Sequence, residues 1–396
     1  MMIDCCRACK SKDLHEIFSL PDIPLAGDFK LNKEDYDIRI PLLLLFCSNC
    51  RVIQIDQSVD LDRLFNTYAF SSSTIPSLVK HFDSYAEWIF TSFKPISVLE
   101  VGCNDGILLE PLKKKGVNVF GVDMSSNIGD IARSKGLDVK TIKFGFNEIE
   151  ILSKWIGQID VVTASNAFPH NDDPNGFLQT AKALLSENGV LILEVMYAGS
   201  LKNDLQWDTV YHEHLHIHSL ESLRNLLEIN GFSLITAEIV DMHAGSLRVV
   251  AMPGNHQINS SASQILKNEE DSKLNTLESW LKFEIDSYES ISICAKKLFE
   301  MSKNATIWAY GASGRASMWL NAANLNFVEK VVDASPLRAG RYIPGVSIPI
   351  VSPDEFNLSQ PDYALITAWN YADIIIDQHP DFSGKWIIPL PKFKII

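Results

Sequence analysis

Long apolar runs are missing from this chain. The longest purely aliphatic or aromatic run near its start, Leu42–Phe46, is far short of the roughly twenty apolar residues a membrane-spanning helix needs. Basic residues are scarce too: 35 lysines and arginines stand against 49 acids, a formal net charge of −14. That balance argues against DNA, RNA or another polyanion as the bulk partner, while leaving room for one small anion in a local pocket. No basic region precedes an apolar one at Met1-Met2-Ile3-Asp4, so no signal peptide is expected and a cytoplasmic location is. At 396 residues, 46% hydrophobic and 21% charged, the chain reads as a globular protein of two or three domains.

Cysteine is concentrated rather than abundant. Five of the seven lie in the first fifty residues, and four pair as Cys6-x-x-Cys9 and Cys47-x-x-Cys50. Each such turn presents two thiolates to one ion, so the pairs predict a closed, structural tetrahedral zinc site. Cys5 abuts Cys6, but the two-residue spacing favours Cys6.

Residues 75–250 alternate strand and helix. Apolar runs at 96–101, 117–122, 159–164 and 190–195 predict a doubly wound parallel sheet, with ligands outside the carboxyl ends of its strands. The first strand ends in Gly102-Cys103-Asn104-Asp105-Gly106. A dinucleotide needs bare glycine backbone for its pyrophosphate. Here Asn104 replaces the middle glycine, and Glu100 and Asp105 would repel phosphate. Those acids suit the ammonium and sulfonium of S-adenosylmethionine instead, and Asp123, closing the second strand ahead of Met124, can accept both ribose hydroxyls. Asn166 and His170 lie in the polar segment after the next strand, at the same sheet edge.

Tyr211-His212-Glu213-His214-Leu215-His216-Ile217-His218 gathers four imidazoles, a carboxylate and a phenol. It formally contains His-Glu-x-x-His, but Ser219 caps a helix that starts only afterwards, so the zinc-protease geometry is not expected. An extended segment would put the four histidines on one face, with Tyr211 and Glu213 on the other. Two or three of the imidazoles are expected to bond backbone.

Beyond a boundary near residue 254, helical spacing from Leu274 to Leu298 gives one long amphipathic helix or two shorter ones. A second strand–turn–helix follows: Ala305–Tyr310, then Gly311-Ala312-Ser313-Gly314-Arg315, with the next strand ending at Asp333. This turn holds no acid and one arginine, which favours a phosphate on the helix N-terminus with Arg315 assisting. Two α/β units of opposite electrostatic preference suggest a cationic cofactor and a nucleotide-bearing substrate.

The order of Cys pairs, Glu-x-Gly-x-Asn-Asp-Gly, Tyr-His-Glu-His, Gly-Ser-Leu-Arg (245–248), Tyr-Gly-Ala, Gly-Arg-Tyr-x-Pro-Gly (340–345) and Ala-Trp-Asn-Tyr-Ala-Asp (368–373) resembles the nucleotide-sugar C-methyltransferases over nearly the whole chain. These enzymes methylate a ring carbon beside a 4-keto group, most often C3 of a 6-deoxy-hexose, in branched-sugar biosynthesis. The resemblance implies a zinc-binding module (1–74), a Rossmann-like class I methyltransferase domain holding S-adenosylmethionine (75–254), and a helical linker with a C-terminal Rossmann-like domain for the nucleotide-diphosphate sugar (255–396). It implies His214 as general base, Tyr211 and Glu213 as its neighbours, and His170 as a further site residue. It also matches the Tyr/Ser-rich segment Tyr68–Ser73 and brings Tyr342 to the substrate with Gly311, Ser313, Arg315 and Asp333. The chemistry agrees: an imidazole can take the proton beside a ketone, a phenol can donate to the enolate oxygen, and a carboxylate can orient either. A monomer or weak oligomer is expected. The alternatives are an O- or N-methyltransferase for a small metabolite and an NAD-dependent nucleotide-sugar dehydrogenase or epimerase. Cofactor binding separates these.

Overall fold

Leu42, Leu44 and Phe46 are buried in alternation with less buried neighbours, the period-2 pattern that lays one sheet face on a core. They belong to β2 (Arg39–Cys47), which pairs antiparallel with β1 (Leu14–Pro24) and with β3 (Ile53–Ile55). The computed structural model describes residues 2–59 and 70–396. Tyr68 lies outside the described residues.

The central sheet is built from β4 (Ser97–Val101), β5 (Asn118–Asp123), β6 (Asp138–Thr141), β7 (Ile159–Ser165) and β8 (Leu185–Met196), all parallel. Their near-continuous apolar runs are those of strands covered on both faces. The chain then contributes β9 (His216–Ile217), β10 (Phe232–Val240) and β11 (Ser246–Pro253). β10 and β11 extend the central sheet antiparallel, in the order β10-β11-β8-β7-β4-β5-β6. β4 has β7 on one side and β5 on the other, so the switch point, where crevice ligands bind, opens at the carboxyl end of β4.

β9 leaves that sheet and pairs antiparallel with β3, becoming the fourth strand of the N-terminal sheet. The His-rich segment is therefore not one extended run. The amide of His214 donates to Tyr211 O at 2.9 Å, closing a tight turn, and only His216–Ile217 is a strand. A single face shared by four histidines does not form, because β3 claims one end of the segment and a turn the other. Ser219 caps the next helix, Leu220–Ile229, by accepting from the Ser222 amide at 3.1 Å.

Two helices, Ser260–Asp271 and Leu277–Ser302, lead to the third sheet. It comprises β12 (Ile307–Tyr310), β13 (Val331–Val332), β14 (Ile350–Val351), β15 (Tyr363–Ile366), β16 (Lys385–Ile388) and β17 (Lys394–Ile395), in the order β14-β13-β12-β15-β16-β17. The first helix after β12, Gly314–Ala322, is buried from Arg315 to Asn321. Ser317 donates to Ala26 O at 2.9 Å, Arg39 reaches Asn321 Oδ1 at 3.2 Å, and Trp319 packs on Trp207 with ring centroids 4.5 Å apart. One short helix thus touches all three parts of the chain. Such an aromatic pair is worth about 0.5–1.5 kcal/mol beyond its buried area.

Candidate active site

At the end of β4, Gly102 takes a φ of +72°, and a side chain there would run into Ala167. The turn is held by Asp123: its Oδ2 accepts the Asn104 amide at 2.9 Å and its Oδ1 the Ser125 amide at 2.8 Å. Each oxygen keeps a second lone pair for a hydroxyl. Burial raises the Asp123 carboxyl above its ordinary value, against the two amides. Met124, half-buried, follows.

Asn104 and Asp105 do something that local sequence does not announce. Asn104 Nδ2 donates to Phe70 O at 3.1 Å and Asn104 Oδ1 accepts the Ser72 amide at 2.9 Å. Asp105 Oδ2 accepts the Ser71 hydroxyl at 2.5 Å, the Ser73 amide at 3.0 Å and the Ser73 hydroxyl. These side chains anchor the Phe70–Ser73 segment across the turn rather than facing only the cleft. Four buried oxygens around the turn have no hydrogen bond within the protein: Glu100 Oε2, Asp105 Oδ1, Asn166 Oδ1 and the Ser125 hydroxyl. Leaving such an atom unmade costs about 1–3 kcal/mol. The acceptors suit the amine and hydroxyls of S-adenosylmethionine, so the residues fit that cofactor. Burial, then the nearby Asp123 and Asp105, hold the Glu100 carboxyl well above the usual range, as expected of acids waiting for a cation.

The His-rich turn closes over this edge. His214 Nδ1 donates to Thr209 O at 2.7 Å, which fixes the tautomer and leaves Nε2 as the proton acceptor. Its ring lies 4.1 Å from that of Tyr211 and 5.1 Å from that of His170. Burial, followed by His170 and Arg315, holds its pKa well below the ordinary imidazole value. His170 donates from Nδ1 to Glu213 O at 2.7 Å, and burial lowers it to about 4. Glu213 Oε1 accepts the Gly27 amide at 2.8 Å. Burial pushes this carboxyl up to about 7. Tyr211 lies against Gly314, where an added Cβ would be 2.8 Å from Cζ and 3.0 Å from the hydroxyl oxygen. The remaining imidazoles bond elsewhere. His212 reaches Pro41 O at 3.2 Å, His216 reaches Asn171 O at 3.1 Å and His218 Nε2 at 2.9 Å, and His218 Nδ1 meets the Ser222 hydroxyl at 3.1 Å.

At the second turn, Asp333 repeats the part of Asp123. Its Oδ2 accepts the Ala312 amide and its Oδ1 the Ser335 amide, both at 2.8 Å. Tyr342 exchanges backbone hydrogen bonds with Lys30 at 2.9 and 3.0 Å, tying the C-terminal part to the N-terminal sheet. Arg315, expected to assist a phosphate, is engaged by groups of the protein itself. Its guanidinium pairs with Asp208 at 3.1 Å, donates to Gln206 Oε1 and His243 O, and covers the Trp369 ring. The turn has no acid of its own, but the fold delivers one from 107 positions away. A second cation beside this turn is Arg338, which sequence reasoning missed. It reaches Asp333 at 3.2 Å and lies over Phe29 and Phe70. Its Nε and the hydroxyls of Ser313 and Ser335 are buried without a hydrogen bond. Also missed was His243, whose Nδ1 is 3.5 Å from the Tyr371 hydroxyl and which burial lowers to about 4.

Cys6, Cys9, Cys47 and Cys50 bring their four sulfurs within 4.8 Å of one another, with Cys6–Cys50 and Cys9–Cys47 at 3.6 Å. Zinc–thiolate bonds of about 2.3 Å put tetrahedral sulfurs about 3.8 Å apart, so the cluster fits zinc.

Three family models match the chain: a zinc binding domain over residues 6–65, a methyltransferase domain over 79–237 and a C-methyltransferase C-terminal domain over 241–391. The C-methyltransferase NovU of Streptomyces niveus is 31% identical over 411 aligned residues, covering 100% of this chain and 97% of that protein. The chain belongs to the C-methyltransferase family. As a member, it is a methyltransferase that uses S-adenosylmethionine and carries zinc on its N-terminal cysteines. A ubiquinone biosynthesis O-methyltransferase of Coxiella burnetii is 34% identical over 100 residues, 25% of this chain and 43% of that one. Among solved structures, the magnesium protoporphyrin IX methyltransferase ChlM from Synechocystis PCC 6803 is similar over 44% of this chain and 79% of its own, at 19% identity and a TM-score of 0.34. No helix among the described residues is long and apolar enough to cross a membrane.

Proposed function

We propose that this C-methyltransferase acts on a nucleotide-linked 4-keto-6-deoxy sugar, at C3, the carbon next to the ketone, in branched-sugar biosynthesis. One observation carries the reading. Around the first turn the buried unpaired atoms are two carboxylate oxygens, an amide oxygen and the Ser125 hydroxyl; around the second they are two hydroxyls and a guanidinium N–H. The first set calls for a cationic ligand rich in donors, the second for an anionic one rich in acceptors, such as a diphosphate. His214 and Tyr211 lie between them, Tyr211 against the helix that opens at the second turn.

The division of labour follows residues 1–74, 75–254 and 255–396. Glu100, Asp105, Asp123, Asn166 and the Gly102–Gly106 backbone would hold S-adenosylmethionine, which when bound supplies an electrophilic methyl on its sulfonium. A ring carbon becomes a nucleophile once its proton is taken, and the ketone beside it makes that proton acidic. His214 Nε2 takes it, a role typically worth about 10²–10⁴ in rate. The Tyr211 hydroxyl donates to the oxygen that becomes negative. The Glu213 carboxyl, with a pKa about 7, holds the Gly27 amide while its carbonyl orients His170. Ser313, Asp333, Arg338 and Tyr342 line the approach of the nucleotide. No metal takes part in this step, since the zinc cluster is closed by four thiolates.

The test is mass spectrometry of products from a panel of 4-keto-6-deoxy sugar nucleotides and S-adenosylmethionine. A carbon-bound methyl on one or more is expected. Methylation confined to hydroxyl or amine groups, or to substrates without a nucleotide, would falsify the reading.

A further inference from the structure

Asp208 is fully buried and carries three donors from the C-terminal part of the chain. Its Oδ1 accepts Arg315 Nη1 at 3.1 Å, and its Oδ2 accepts the indole N–H of Trp319 at 3.0 Å and of Trp369 at 2.8 Å. Arg315 is itself seated on the Trp369 ring, 4.9 Å from its centroid, and is bonded to Gln206. Gln206 and Asp208 flank Trp207 in a short 3₁₀ turn, and the residue after Asp208 is Thr209. Thr209 is the residue whose carbonyl holds His214 by Nδ1. A chain of direct contacts therefore runs from the helix after the second glycine turn to the imidazole between the two turns.

We infer that Asp208, clamped by Arg315, Trp319 and Trp369, is a positioning residue through which the C-terminal part of the chain sets both the orientation and the proton affinity of His214. The inference rests on the reading of His214 as the base. Orientation follows from the peptide geometry: with Asp208 pinned from three directions, the adjacent Thr209 carbonyl has a fixed aim and His214 a fixed tautomer. Proton affinity follows from charge. The groups facing His214 are the His170, His243 and Tyr211 rings and the Arg315 guanidinium. Both imidazoles are neutral near pH 7, being lowered to about 4 by burial, which leaves Arg315 as the full charge. A cation disfavours the imidazolium. Asp208 offsets that cation, so it keeps His214 basic enough to take a proton.

The test uses full-length, zinc-loaded enzyme and compares Asp208→Asn, Arg315→Met and the double variant by kcat, by KM for each substrate and by the pH dependence of kcat. Asp208→Asn leaves Arg315 uncompensated. The acid limb of its profile should move to lower pH, by on the order of one unit, with kcat down about tenfold to a hundredfold from lost alignment and KM for S-adenosylmethionine little changed. Arg315→Met leaves Asp208 uncompensated and should move the limb to higher pH. The double variant should return it toward wild type. Limbs that move the same way, or not at all, overturn the inference and leave Asp208 a packing residue. Thermal melting monitors folding. If Asp208→Asn does not fold, Trp369→Phe, which removes one donor to Oδ2, takes its place: lowered kcat with a shifted limb supports the inference, and an unshifted limb overturns it. The two readings fail separately. Near wild-type turnover in His214→Asn would remove the base assignment itself, whatever the Asp208 profiles show.

Discussion

At the carboxyl end of β4, and again at that of β12, a glycine turn is held by a carboxylate from the following strand region. Asp123 accepts the Asn104 and Ser125 amides; Asp333 accepts the Ala312 and Ser335 amides. The two scaffolds agree to within about a tenth of an ångström in these bonds, yet what surrounds them is opposite. The first turn is ringed by Glu100, Asp105 and Asn166 with acceptor oxygens unpaired, and the second by Ser313 and Arg338 with donors unpaired; the serine two residues after each aspartate, Ser125 or Ser335, leaves its hydroxyl unpaired at both. The lesson is that the backbone plan does not choose the ligand. The charges placed around it do, and some arrive from elsewhere: Asp208 silences the arginine that the second turn carries in its own sequence.

The largest effect should come from the group between the turns. His214→Asn should lower turnover by about 10²–10⁴ while binding of S-adenosylhomocysteine and of a nucleoside diphosphate, measured by calorimetry, stays within a few-fold of wild type. Loss of both ligands would mean that the turns depend on the loop and are not separate sites. Next comes a crossed pair. Asp123→Ala should weaken S-adenosylhomocysteine by about tenfold to a hundredfold, as loss of a charge-assisted contact of about 1.5–3 kcal/mol allows, and spare the nucleotide; Arg338→Gln should do the reverse. Equal losses on both ligands would erase the contrast between the turns.

A finer probe is pH. The Glu100 carboxyl is held well above the usual range by burial, with Asp123 next in importance. A bound ammonium favours its ionised form, so cofactor binding should release a proton and tighten as pH rises through that raised pKa. Glu100→Gln should bind more weakly and flatten this dependence; an unchanged slope would place the ammonium elsewhere. The smallest effect is expected from Ser313→Ala, a loss of about 1 kcal/mol, or roughly fivefold, in nucleotide affinity, with no change for S-adenosylhomocysteine.

Much of this was legible from residue order. Apolar runs at 96–101, 117–122, 159–164 and 190–195 fall on β4, β5, β7 and β8, because fully covered parallel strands are apolar throughout. The Cys-x-x-Cys pairs converge because each spacing is itself a two-ligand turn. What stayed hidden depends on distant partners. The acids of the first turn were readable as charge, but not that Asn104 and Asp105 would bind Phe70–Ser73. Arg315 looked unopposed because its acid lies 107 positions back. Arg338 has no local motif, and its place among Phe29, Phe70 and Asp333 exists only after three parts of the chain meet. Period and spacing report what a segment does with itself; they are silent on which neighbour cancels its charge.

The N-terminal sheet has a consequence for how the molecule is made. Its first three strands end at Ile55, but its fourth, β9, is not synthesised until everything from residue 56 to 215 has left the ribosome. Until then the edge of β3 lies open, a row of unpaired backbone groups able to template a wrong partner. Zinc on the two cysteine turns can form at once, because all four ligands lie upstream of that gap. The metal therefore holds a three-stranded stub together while it waits. The pairing that closes the sheet lies two residues beyond His214, so it brings the Tyr211–His214 turn beside the N-terminal module, which Tyr342 then ties to the C-terminal part through Lys30.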